Sequence, residues 1–141
     1  MGFGDLIKGA IDSSDRMAEQ KQVQKEEKEK RQIAEMYKKY ADYLLEEENI
    51  LYYTSNIKGS YVFLDKRILF HDDRLRKVTK QEYHSIPYKN IKRFTIEKAG
   101  VADIDTDIKL YLGGSQEESI TLKVPIDSTK AINKIIVSKI I

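Results

Sequence analysis

The sequence predicts a mainly β chain with added helix: a small seven-stranded antiparallel barrel or sandwich, capped by a C-terminal helix and preceded by an N-terminal α-helical extension. Three observations lead there. The apolar period changes from 3.6 to 2 near Glu48. Seven short β-rich runs then follow within about 75 residues, with turn residues between them. Finally, the stretch DSTKAINKIIVSKII (127–141) returns to helical spacing just after Pro125.

In chain order, Phe3, Leu6, Ile7 and Ile11 fall at i, i+3, i+4 and i+8, one face of a short amphipathic helix. Ser13, Ser14 and Asp15 offer a stop and a new N-cap. From Arg16 no Gly or Pro occurs until Gly59, so nothing local breaks a long second helix. Its middle, EQKQVQKEEKEKRQ (19–32), has one clearly apolar residue, Val23, and is too polar to pack into a core. Pairs such as Lys25–Glu29, Glu26–Lys30 and Glu27–Arg31 support it at i, i+4, by about 0.2–0.5 kcal/mol each. Next, Ile33, Met36, Tyr37, Tyr40, Ala41, Leu44 and Leu45 form an apolar stripe at helical spacing.

The β runs are NILYYTSN, SYVFLD, RILFHDD, QEYHSIP, IKRFTIE, DIKLYL and SITLKV. Gly59 and the pair Asp65–Lys66 supply the first two turns, and GGSQEE supplies the last. In DIKLYL, Ile108, Leu110 and Leu112 take one face, with Lys109 and Tyr111 on the other. Pro87 cannot donate to a ladder and so suits a strand end. In the last helix Asp127 or Ser128 is the expected N-cap, and Ile132, Ile135, Ile136 and Ile140 are the buried stripe. Such a helix lids one end of a small sheet that otherwise lacks a complete core. The expected division is a helical extension over 1–47 and a β domain over 48–141.

Composition narrows the function classes. The chain has no Cys, which excludes disulfides and thiolate zinc sites and fits a reducing cytoplasm. No apolar run approaches the length of a membrane span, and the start resembles neither a signal peptide nor a myristoylation signal. The net charge of +2 divides into −3 over residues 1–48 and +5 over 49–141. That is too even for a typical nucleic-acid binder.

The segments VFLDKRILF (62–70), EYHSIPYKNIKRFTIEKAG (82–100) and DIDTDIKLYLGGS (103–115) resemble the bacterial pleckstrin-homology (PH) domain family. There a T-N-K-R-L-I element, a Y-H-S-I-P-Y element and a D-x-D-x-x-L-K element recur in this order, and the middle one is the specific signal. The resemblance spans 49–141, and MGFGDLIKGAID is similar to the family's usual opening. It implies a seven-stranded barrel with a C-terminal helix, a non-enzymatic module and ring-like homo-oligomers. The long charged helix is a departure from that pattern.

Two sets of residues are candidates for contact with partners. Ile33, Met36, Tyr37, Tyr40 and Leu44 would form a self-association or partner helix. Arg74, Arg76, Lys77, Lys80, Lys89, Lys92 and Arg93, opposed only by Glu82, give an excess of +6 over residues 74–93 and suit an anion or acidic-partner surface. Phosphoinositide binding is not expected, because the first strand–strand loop offers only Lys58. DIDTD lacks the Gly and Glu that a calcium loop needs at its sixth and twelfth positions. His71, Asp72 and Asp73 are neighbours at a strand end and do not converge. No catalytic residue, metal site or cofactor is therefore assigned. The expected function is a cytoplasmic scaffold that self-associates through barrel edges or faces and the helix stripe. The alternative is an anion- or membrane-surface adaptor using residues 74–93.

Overall fold

The structure is a computed structural model that describes residues 3–56, 59–72, 82–98, 100, 104–114 and 118–141. The chain divides into two compact units, Met1–Leu44 and Leu45–Ile141. The first is one α-helix, α1 (Phe3–Lys39), followed by a single 3-10 turn at Ala41–Tyr43. The expected stop at Ser13–Asp15 does not occur. Ser and Asp inside a helix each cost only about 0.7 kcal/mol or less relative to Ala, and no Gly or Pro sits nearby. The side chains of residues 3–13, including the opening stripe of Phe3, Leu6, Ile7 and Ile11, lie outside the described set.

The second unit holds seven strands: β1 (Ile50–Asn56), β2 (Gly59–Leu64), β3 (Arg67–Asp72), β4 (Tyr83–Pro87), β5 (Arg93–Ile96), β6 (Asp105–Gly113) and β7 (Glu118–Pro125). They form two antiparallel sheets, β1-β2-β3-β4 and β5-β6-β7, each joining neighbours in sequence. The ladders do not close into a barrel among the described residues, so the architecture is a sandwich. A 3-10 turn, Tyr88–Asn90, carries the chain from β4 in the first sheet towards β5 in the second. Helix α2 (Thr129–Ile140) follows β7 and packs near that turn.

Strand alternation builds the core. Tyr61, Phe63, Ile68, Phe70 and Ile86 from the first sheet meet Ile108, Leu110, Leu122 and Val124 from the second. Ile132 and Ile136 of α2 join them at 0% exposure, and Leu112, Ile135 and Ile140 pack at the margin. Strand β2 is buried along its whole length, so Val62 and Leu64 are enclosed as fully as Tyr61 and Phe63.

Side chains tie the two sheets together where β1 passes β7. Asn56 Nδ2 donates to the carbonyl of Lys123 at 2.8 Å, and the Lys123 amide donates to the Tyr61 hydroxyl at 3.0 Å. The buried hydroxyls of Thr54 and Ser128 lie 2.7 Å apart. Ser128 is the N-cap of α2, as expected, but its hydroxyl makes no capping bond. It binds β1 instead. Among the described residues, no helix is long and apolar enough to cross a membrane.

Candidate functional site

The helix stripe is partly realised. Ile33, Met36 and Tyr37 are half-buried on the last turns of α1, and Tyr40 is 1% exposed at the first position beyond it, its amide bonded to the Met36 carbonyl. Leu44 is not on the helix: it is extended, with φ −102° and ψ 144°. Leu45 is also off the helix and is 71% exposed. The stripe therefore shortens to residues 33–40. Before it, every residue from Ser14 to Arg31 is exposed, including Met17 and Val23.

A turn opens the second unit. The Glu48 carboxylate accepts the Leu45 amide at 2.9 Å, and the Glu48 amide donates to the Leu45 carbonyl at 3.1 Å. The same carboxylate receives Arg67 Nη2 at 2.6 Å and Nε at 2.8 Å, a two-pronged pair. Arg67 Nη1 continues to the Ser85 hydroxyl at 3.0 Å, linking β3 to β4. The Arg67 hydrogen bonds hold the Glu48 carboxyl below its ordinary value of 4.5, against the opposing effect of burial. A carboxylate kept ionised in this way cannot act as a general acid near neutrality.

This pair lines an open cavity of about 560 Å³ together with Leu45, Pro87, Tyr88 and Lys139. The buried Tyr88 hydroxyl donates to the Leu64 carbonyl at 2.8 Å, and burial pushes its phenol well above the ordinary tyrosine range. Glu48, Arg67 and Tyr88 thus make structural bonds, and none is left over for proton transfer.

The structure describes only part of the basic cluster. Arg74, Arg76, Lys77 and Lys80 lie outside the described residues, as does Lys58. Lys89 lines the cavity just described. Arg93 opens β5 of the second sheet, and the Lys92 amide just before it donates to the Tyr111 carbonyl at 2.8 Å. Arg93 stacks on Tyr111, with its guanidinium carbon 3.6 Å from the ring centre. Lys109 Nζ lies 5.3 Å from the same centre. The register explains the meeting: Arg93 pairs with Tyr111 across β5 and β6, and Lys109 is two residues from Tyr111 on the same face. Sequence placed Lys109 and Tyr111 outward together but gave no register to bring Arg93 to them. The Lys92 side chain runs beside Gly113, whose φ is +79°; a Cβ there would come 3.0 Å from Lys92 Cγ.

The other sequence candidates take structural places. His84 stacks on Phe70, with centres 4.7 Å apart, and His71 stacks on Tyr83 at 5.1 Å. Asp105 and Asp107 sit on β6, where Asp107 approaches Lys123 at 3.9 Å; Asp103 and Asp73 are outside the described residues. No group of three or more His, Cys, Asp or Glu among the described residues is placed to hold a metal ion.

Comparison with known proteins agrees with this architecture. The model of the bacterial PH domain family matches residues 17–140, taking in most of α1 as well as both sheets. The chain is 33% identical over 88 residues to the uncharacterized protein YjqA of Bacillus subtilis strain 168, covering 62% of this chain and 70% of that one. A similar solved structure is a DUF1696-family protein with a pleckstrin-homology domain from Shewanella loihica PV-4, with a TM-score of 0.64 at 25% identity, over 77% of this chain and 93% of that one. A pleckstrin homology domain from Shewanella amazonensis SB2B matches with the same TM-score at 27% identity, over 77% and 88% of the two chains.

Proposed function

We propose, for a chain that belongs to the bacterial PH domain family, a cytoplasmic and non-enzymatic role as an interaction module that self-associates. The observation that carries this reading is the contrast along α1. Residues 14–31 are exposed on every side, so core packing contributes nothing to that stretch. Side-chain pairs at i, i+4 add only about 0.2–0.5 kcal/mol each, and solvated helices of this length are marginal in water. Pairing with the same helix of a second copy, anchored at its apolar last turns, steadies that stretch while its charges stay in water. Ile33, Met36 and Tyr37, spaced i, i+3, i+4, supply the apolar contact beside it. The sandwich offers faces and edges for further contacts between copies.

Light scattering coupled to size-exclusion chromatography of the full chain tests this directly. A defined oligomer is expected at about tens of micromolar, the micromolar range of an ordinary specific contact. Met36→Glu with Tyr37→Glu should lower the mass while near-ultraviolet circular dichroism shows the sandwich still folded. A monomeric wild-type chain, or an oligomer unmoved by the double substitution, overturns the helix-mediated reading.

A further inference from the structure

Strand β5 ends the second sheet, and its ladder with β6 fixes which of its main-chain groups are spare. The Glu97 amide donates to the Asp107 carbonyl at 3.0 Å, which makes Glu97 and Asp107 a hydrogen-bonded pair. In an antiparallel ladder such pairs alternate with pairs whose polar groups point away. Arg93, Thr95 and Glu97 therefore turn their N–H and C=O groups to β6. Phe94 and Ile96 turn theirs to the open edge. Among the described residues, nothing bonds those outward groups. A row of this kind is a template for another strand.

The side chains along this edge complement a second copy of themselves. Antiparallel pairing about Thr95 sets Phe94 against the partner's Ile96, and Ile96 against the partner's Phe94. Every outward N–H of one copy then meets an outward C=O of the other. A slide of two residues puts Phe94 on Phe94, or Ile96 on Ile96, and leaves the other unmatched within the strand. On the inner face the pairing gives an aromatic–β-branched contact on each side of the axis. Phe94 and Ile96 already pack at the margin of the core there. On the exposed outer face, Arg93 lies beside the partner's Glu97, and Thr95 meets Thr95 on the axis.

Charge favours the same register. Glu97 lies across the ladder from Asp107, a like charge whose carboxylate approaches Lys123 at 3.9 Å. Neither Arg93 nor Glu97 makes an ion pair with a described residue. The partner's Arg93 brings Glu97 an opposite charge, and stacking on Tyr111 holds that guanidinium in place. Asp107, Lys109 and Lys123 lie one or two strands further in. The pairing also draws Lys92 towards the partner's Lys98, but both lie outside β5, and the Lys92 side chain runs along Gly113 instead.

We propose that two copies of the chain pair antiparallel along β5, with a two-fold axis at Thr95. Each three-stranded sheet then continues into the other. The inference rests on the reading that copies associate, and it names the strand and register at which the sandwiches meet.

The axis gives a direct probe. The Cα atoms of the two Thr95 residues would lie about 4.5 Å apart, within the span of a disulfide. The chain has no Cys of its own. Full-length Thr95→Cys, treated with oxidised glutathione, should become a covalent dimer on a non-reducing gel. Lys109→Cys, exposed on the same face but one strand further in, should stay a monomer under those conditions. Arg93→Glu and Glu97→Arg should each weaken association about tenfold by light scattering, and the two together should restore it. A fold defect would not be repaired by the second change. Absence of the covalent dimer, or of the recovery, overturns the proposal. A wild type that still associates in that case leaves self-association standing, whereas a monomeric wild type removes both readings.

Discussion

Glu48 and Arg67 carry more of the local structure than any pair the sequence singled out. Arg67 and Glu48 side chains are 22% and 11% exposed, so solvent screens them incompletely. Replacing Glu48 by Gln keeps the shape but removes the charge that holds two Arg67 donors. A loss of about 1.5 kcal/mol is expected, the lower end for hydrogen bonds to charged groups because both side chains still touch water. The pH dependence has a definite sign. The folded carboxyl lies below its ordinary value of 4.5, so its contribution is complete above that pH. It disappears as pH falls through the depressed folded value. Urea unfolding should show wild type ahead of Glu48→Gln at neutral pH, with the gap closing in acid. A gap constant across that range would mean that the charge is not what matters.

Among the elements, the junction between β1 and α2 rests on two hydroxyls. Thr54 and Ser128 are 7% and 4% exposed, and each satisfies the other. Thr54→Val alone strands a buried hydroxyl and should cost about 1–3 kcal/mol. Thr54→Val with Ser128→Ala should cost less than the two single changes added together, by about 0.5 kcal/mol or more. Thermal unfolding of the four proteins of that cycle measures the difference, and strict additivity would show that the bond contributes nothing. The strands themselves were legible in the sequence because alternation is local: Ile108, Leu110 and Leu122 are buried as the pattern says. The 3.6-residue stripe was equally clear, yet it ran past the true end of α1. Leu45, the stripe's last residue, is held instead by Glu48, which also binds Arg67, 19 residues away along the chain. A periodicity argument has no access to such a bond. Ser128 shows the converse, a cap residue in the right place whose hydroxyl serves a strand 74 residues distant. For the same reason the Arg93–Tyr111–Lys109 group was invisible until the β5–β6 register was known.

For the molecule as a whole, the exposed stretch of α1 offers a test that needs no substitution. If α1 is steadied when copies meet, the amides of residues 14–31 should exchange with solvent quickly in dilute solution and slowly in concentrated solution. Core strands such as β2 and β6 should exchange slowly at both. Hydrogen exchange read by mass spectrometry at two protein concentrations separates the cases. Protection of α1 that ignores concentration would place the association elsewhere.

The bonds at Lys123 have a consequence for any such assembly. Both main-chain polar groups of that residue, on the β7 side that passes β1, are already engaged, the carbonyl by Asn56 and the amide by Tyr61. An incoming strand needs those groups vacant to extend a sheet. The seam between β1 and β7 is thus stitched shut from within, by side chains rather than by a ladder. A strand arriving at that point from another copy would first have to displace Asn56 and Tyr61.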